Sequence, residues 1–125
     1  MSLPYQYVVL RCVPRADREE FLNVGVVLYC EEAGFLGAEH HVDPGRIRAL
    51  APGLDPARVD EALAWVAAVC RGEDTAGAAG RSPLGQRFGF VRAPRSTVVR
   101  PGPVHGGITD DPAACLTRLV DRLVR

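Results

Sequence analysis

Asn23-Val24-Gly25-Val26-Val27-Leu28-Tyr29-Cys30-Glu31-Glu32-Ala33-Gly34-Phe35-Leu36-Gly37-Ala38-Glu39-His40-His41-Val42 is the stretch on which the fold turns. Residues 23–30 are rich in valine and apolar on both faces, the pattern of a strand inside a sheet. Glu31-Glu32-Ala33-Gly34 supplies a turn, and residues 35–42 return as the next strand. The pair is the clearest hairpin in the chain, so antiparallel pairing organises the sheet.

Working outward, residues 5–13 are again β-branched and aromatic on both faces and stop at Pro14, which reads as a central strand. Between the two, Asp17 with Glu20 three residues on resembles a capping box opening a single helical turn. Asp43-Pro44 starts a short helix through Leu50, with Asp as cap and Pro at the first helical position. Asp55-Pro56 repeats the device for a longer helix over 56–71, closed by Gly72. Its apolar stripe runs through Val59, Leu63, Val66 and Cys70, widened by Trp65 and Val69, and Leu54 with Val59 is spaced as a hydrophobic staple. Residues 72–83 are small and Gly/Ala-rich and read as a mobile loop within the domain. Residues 86–91 alternate, with Phe88 and Phe90 on one face, which predicts a fourth strand. Residues 96–100 predict a fifth, at an edge because Pro101 cannot donate to a ladder. Asp111-Pro112 opens the last helix, where Leu116, Leu119, Val120 and Leu123 share one face. The order predicts an α+β fold: a mainly antiparallel sheet of about five strands, with two longer helices and short helical turns packed on one face.

The 125 residues suit one domain, 1–125, of ordinary globular composition, 47% hydrophobic and 24% charged. Fifteen acids balance fifteen bases, so no overall field draws the chain to nucleic acid or an anionic membrane. All the bases are arginine, which excludes lysine Schiff-base chemistry and favours bidentate contacts to carboxylates or phosphates. No apolar run is long enough to span a bilayer and no signal-peptide order opens the sequence. Cys12, Cys30, Cys70 and Cys115 are widely spaced inside apolar patterns, as reduced thiols are, and the expected location is cytoplasmic.

The segment Pro94-Arg95-Ser96-Thr97-Val98-Val99-Arg100-Pro101-Gly102-Pro103-Val104-His105-Gly106-Gly107 concentrates polar groups between prolines and glycines, where chains hold site residues. Arg95 and Arg100, with Arg92 nearby, could form an anion pocket with backbone N–H groups of Gly106-Gly107, or a solvated basic edge. Ser96 and Thr97 lack a nucleophile elbow around them and suit capping or edge hydrogen bonds. His105 lies among glycines beyond a strand end, either as a surface side chain or as an acid, base or ligand contact. His40 and His41 point apart on their strand; the expectation is a partly buried, satisfied His40 and no metal site. Glu19, Glu20 and Asn23 form a second polar knot. Arg11, on an otherwise apolar strand, calls for a carboxylate partner, with Glu19 or Glu20 the candidates.

At Tyr5-Gln6-Tyr7, Arg18-Glu19-Glu20-Phe21-Leu22-Asn23-Val24-Gly25-Val26-Val27-Leu28 and Pro94-Arg95-Ser96-Thr97-Val98-Val99-Arg100, continuing through Pro103-Val104-His105 and Asp110-Asp111-Pro112, the chain resembles a bacterial family catalogued as domain of unknown function 3037. The resemblance implies small single-domain proteins with no assigned activity, often encoded beside a kinase of the HipA toxin type, and hence a protein partner rather than a chemistry. It carries Glu19, Glu20, Asn23, Gly25, Arg95, Ser96, Thr97 and His105 as motif residues. Gly102 and Gly106 stand where a small hydroxyl residue is expected in similar proteins.

Two functions of different class follow. One is a non-catalytic binding module for a protein partner such as that kinase, with Glu19, Glu20, Asn23, Arg95, Ser96, Thr97, Arg100 and His105 as candidate contacts. The other is an enzyme or ligand binder with a phosphate or carboxylate site built from Arg95, Ser96 and His105, which requires these side chains to face one pocket. Neither calls for a cofactor, a metal, nucleic acid or a membrane. A homodimer across the fifth strand stays open.

Overall fold

The fold is seen in a computed structural model, which describes residues 2–125. Strand β1, Leu3–Cys12, lies in the middle of the sheet. A 3-10 turn at Ala16–Arg18 leads into β2, Leu22–Cys30, and the hairpin returns as β3, Phe35–His40. Gly34 makes the turn at φ +60 and donates its N–H to the Glu31 carbonyl, a conformation that favours glycine. Helices α1, Pro44–Leu50, and α2, Pro56–Arg71, begin as the Asp-Pro pairs predict, with the Asp43 and Asp55 carboxylates accepting N-terminal backbone N–H groups. Gly72 closes α2 in the left-handed region. Helix α3, Leu84–Arg92, follows, then β4, Val99–Pro101, β5, His105–Thr109, and α4, Pro112–Leu123, capped by Asp111.

The sheet runs β3-β2-β1, all antiparallel, and both β4 and β5 pair with the free side of β1. β4 lies against Leu10–Cys12 and β5 against Leu3–Tyr7. Leu10 faces Pro101 and Tyr7 faces His105, so β4 and β5 are one edge line interrupted at Gly102-Pro103-Val104. Pro103 has no N–H to continue the ladder there. On the other side of β1 the register slips between Leu10 and Arg11, a bulge that leaves Val24 unpaired and sets Arg11 opposite Asn23.

Two cores flank the sheet. Val8, Leu10, Cys12 and Val27 pack with Ile47, Val59, Leu63, Val69, Phe88 and Val91 of α1–α3. Val26, Leu28 and Cys30 pack with Cys115, Leu116, Leu119 and Val120 of α4. The α+β class and the five-stranded antiparallel sheet are as read from the sequence, whereas the helices occupy both faces rather than one. The cause is visible in β2: a strand apolar on both faces must be covered on both.

Three local expectations give way. Residues 86–91 are helical because Leu84, Phe88 and Val91 recur at the helical period and Phe88 and Val91 enter the core, while Phe90 stays 43% exposed. The strand expected over 96–100 shortens to Val99–Pro101, and β5 is additional. Asp17 and Glu20 form no capping box; they pair instead with Arg15 and Arg18. The segment between α2 and α3 is held by contacts: Ala76 and Gly80 are buried, and the Arg87 guanidinium donates to the carbonyls of Val69, Cys70 and Ser82.

Candidate functional site

The residues between α3 and β5 divide between the two faces of the sheet. Arg95 lays its guanidinium 4.0 Å over the Trp65 ring of α2 and shares with Thr97 an apolar slot of about 170 Å³ on the α1–α3 side, floored by Leu10, Val91 and Val99. Thr97 donates its hydroxyl to the Val99 carbonyl at 2.7 Å, and its own carbonyl accepts from Arg100 Nε at 2.9 Å. Thr97 therefore shapes the loop into β4, as expected of an edge hydroxyl. Ser96 is exposed.

His105 sits on the opposite face. It opens β5 across from Tyr7 and stacks on that ring at 5.2 Å, and Tyr7 packs with Tyr5 against the α4 core. His105 and Arg95 are thus separated by the sheet. A single phosphate or carboxylate pocket made of Arg95, Ser96 and His105 does not form, because strand alternation sends His105 one way and the Arg95–Trp65 contact pulls the guanidinium the other.

Arg100 joins a different group. It lies directly across from Arg11, and with Glu19, Glu20, Phe21, Val13, Ala16 and Pro101 the pair lines a cleft of about 250 Å³. The Arg11 guanidinium rests 4.1 Å from the Phe21 ring centroid rather than on a carboxylate, so the expected ion pair to Glu19 or Glu20 is replaced by a cation–π contact. Glu20 is taken by Arg18, whose hydrogen bond holds the Glu20 carboxyl below its usual range. Glu19 is exposed and ends the 3-10 turn in the left-handed region at φ 55, which turns its side chain away from the helical path. Asn23 faces Arg11 across the bulge and donates Nδ2 to the Leu123 carbonyl at 3.1 Å, tying β2 to the end of α4. Among the described residues, Arg11 Nε and Asn23 Oδ1 are both buried without a hydrogen-bond partner.

Sequence reasoning valued Arg11 only as half of an ion pair; the signal available was a lone cation on an apolar strand. Gly102, noted in the sequence only for lacking a hydroxyl, is where a Cβ would come within 3.0 Å of the Arg11 guanidinium carbon. A cleft of about 480 Å³ lies elsewhere, between the 3-10 turn and the α1–α2 junction, and two of its three arginines, Arg15 and Arg18, are already paired. His40 ends β3 exposed rather than partly buried, and the neighbouring His41 approaches Arg125.

Among the described residues, no three His, Cys, Asp or Glu side chains come together as a metal site, and no helix is long and apolar enough to cross a membrane. All four cysteines are buried and unbridged. Burial pushes the Cys70 thiol up to about 12 and raises that of Cys12, the opposite of an activated nucleophile. No curated protein and no solved structure matches the chain. A family model does, over residues 7–124, from β1 to the end of α4, and its description is a protein of unknown function, DUF3037. With nearly all of its length covered, the chain belongs to the DUF3037 family.

Proposed function

We propose that this protein is a non-catalytic binding module that recognises a protein partner, with a HipA-type kinase encoded beside it as the candidate. The observation that carries the reading is strand β5. It is an outer strand whose alternate N–H and C=O groups face away from β1, and edge strands are ordinarily blunted by charge or proline. The sequence His105-Gly106-Gly107-Ile108-Thr109 has neither a proline nor an Asp, Glu, Lys or Arg, and Ile108 is 71% exposed on it. An extended segment of the partner, added beside β5, would satisfy the free backbone groups and cover Ile108.

The other edge is less inviting. β3 carries Glu39, which accepts from Thr117 of α4, and helices pack against it from both sides. The separation of Arg95, on Trp65, from His105, on Tyr7, weighs against an enzyme site built from Arg95, Ser96 and His105.

The test is co-expression of the full chain with the neighbouring kinase, using wild type and Ile108→Lys. The wild-type chain is expected to co-purify with the kinase and the variant to lose it, with thermal stability within about 0.5 kcal/mol of wild type because the position is a surface one. No association of the wild type at micromolar concentration removes the reading.

A further inference from the structure

We propose that the Arg11–Arg100 pair is a binding site for a monoanionic carboxylate carried by a protein partner, either an acidic side chain or a chain terminus. The proposal rests on the binding-module reading for the source of the carboxylate, and on the cleft itself for the site. Two arginines stand directly opposite each other on adjacent antiparallel strands, a placement in which like charges repel. Such a pair normally recruits an acid, yet among the described residues neither guanidinium forms an ion pair.

The two forks are nevertheless held in place. Phe21 covers the face of the Arg11 guanidinium and Gly102 lets it lie close over the backbone, while Arg100 Nε is fixed on the Thr97 carbonyl. Stacking on its plane leaves Arg11 free to donate at its edge through the Nη groups, while its Nε is buried and, among the described residues, has no acceptor. A planar carboxylate matches that fork in bidentate fashion. Charge selects the ligand further. Glu19 and Glu20 line the same cleft, and only Glu20 is neutralised, by Arg18, so one positive charge is left over. That suits a single negative charge and penalises a dianionic phosphate.

The experiment is an NMR titration of the full ¹⁵N-labelled chain that follows the Arg11 Nε–Hε resonance and needs no partner protein. The probes are N-acetylglycine, which carries only a terminal carboxylate, N-acetylaspartic acid amide, which carries only a side-chain one, and inorganic phosphate at a pH where it is dianionic. At least one carboxylate is expected to give a saturable shift with a Kd on the order of 1–10 mM, as suits a fragment-sized ligand, with phosphate weaker. Saturation by N-acetylglycine alone assigns a partner's C-terminus, and saturation by the aspartate probe assigns a side chain. Arg100→Gln is expected to weaken binding about tenfold, the loss of one charged hydrogen-bond partner. Gly102→Ala, whose new Cβ presses on Arg11 without removing any charge, should weaken it by a factor of about three or more by displacing the fork. No saturable shift with either carboxylate, tighter binding of phosphate, or unchanged affinity in both variants overturns the proposal. Kinase co-purification can fail while this titration succeeds, and the reverse, so the two readings fall separately.

Discussion

Replacing Gly107 by alanine gives a prediction whose sign alone is decisive. An exposed, unconstrained glycine in a strand costs about 0.5–1 kcal/mol relative to alanine, so an ordinary strand glycine would be improved by the change. Gly107 is not ordinary: a Cβ there would meet the Tyr5 hydroxyl at 2.5 Å and two of its ring carbons at 2.6 and 2.8 Å. The Tyr5 ring lies across the β5 backbone as aromatic rings do over strand glycines, joining β5 to the α4 core. Room for the methyl group requires the ring to leave its rotamer, at roughly 0.5–1.5 kcal/mol. It also gives up ring contact with the strand, so the total follows the usual range of about 1–3 kcal/mol for overpacking. Offset by the backbone gain, Gly107→Ala should destabilise the chain by about 1 kcal/mol. Urea denaturation measures the global part. Amide hydrogen exchange should show the loss concentrated in residues 105–109. A variant as stable as wild type, or more so, would refute the claim that Tyr5 secures the edge strand.

Arg87→Met should cost on the order of 2 kcal/mol in urea denaturation, because it strips charged donors from three backbone carbonyls, among them Cys70 at the end of α2. The same variant should speed amide exchange through residues 73–82; a change below about 0.5 kcal/mol would show that the guanidinium holds nothing. Alkaline stability should depend on Cys70. Its folded thiol is pushed up to about 12 from an ordinary 9.0, so between those pH values the folded chain keeps a proton that the unfolded chain releases. Stability therefore falls as pH rises through this window, and Cys70→Ala should flatten the slope by up to about 1.4 kcal/mol per pH unit relative to wild type. Identical slopes for the two proteins would contradict the assignment.

The parts of the fold that the sequence makes plain are those set by neighbouring residues. Asp43-Pro44, Asp55-Pro56 and Asp111-Pro112 each combine a capping carboxylate with a preset φ, and the three helices begin where these pairs stand. Gly34 and Gly72 mark a turn and a helix end because the backbone there needs positive φ. What stays hidden depends on distant partners. Strand β5 contains Gly106-Gly107, a poor strand former by itself, and exists because β1 offers a free edge and Tyr5 covers the glycine. Helix α3 is obscured by the chance alternation of Phe88 and Phe90, although Leu84, Phe88 and Val91 carry the helical period.

The same division applies to the site. Glu19, Glu20 and Arg100 do line one cleft, but its centre is Arg11, whose neighbours are fixed by a bulge at Val24 and by strand pairing to β4. Arg95 and His105, close in sequence and similar in promise, part because one finds Trp65 and the other Tyr7. The valines of β2 already showed burial on both faces, but helices were expected on one face only, and the second helical layer is what the structure adds.

Recognition through an outer strand is tested most directly by hydrogen exchange on the co-purified complex compared with the free chain. Amides of residues 105–109 should gain protection when the partner binds, as an added strand takes up the outward-facing groups. Protection confined to α2 or α4, with residues 105–109 unchanged, would contradict it.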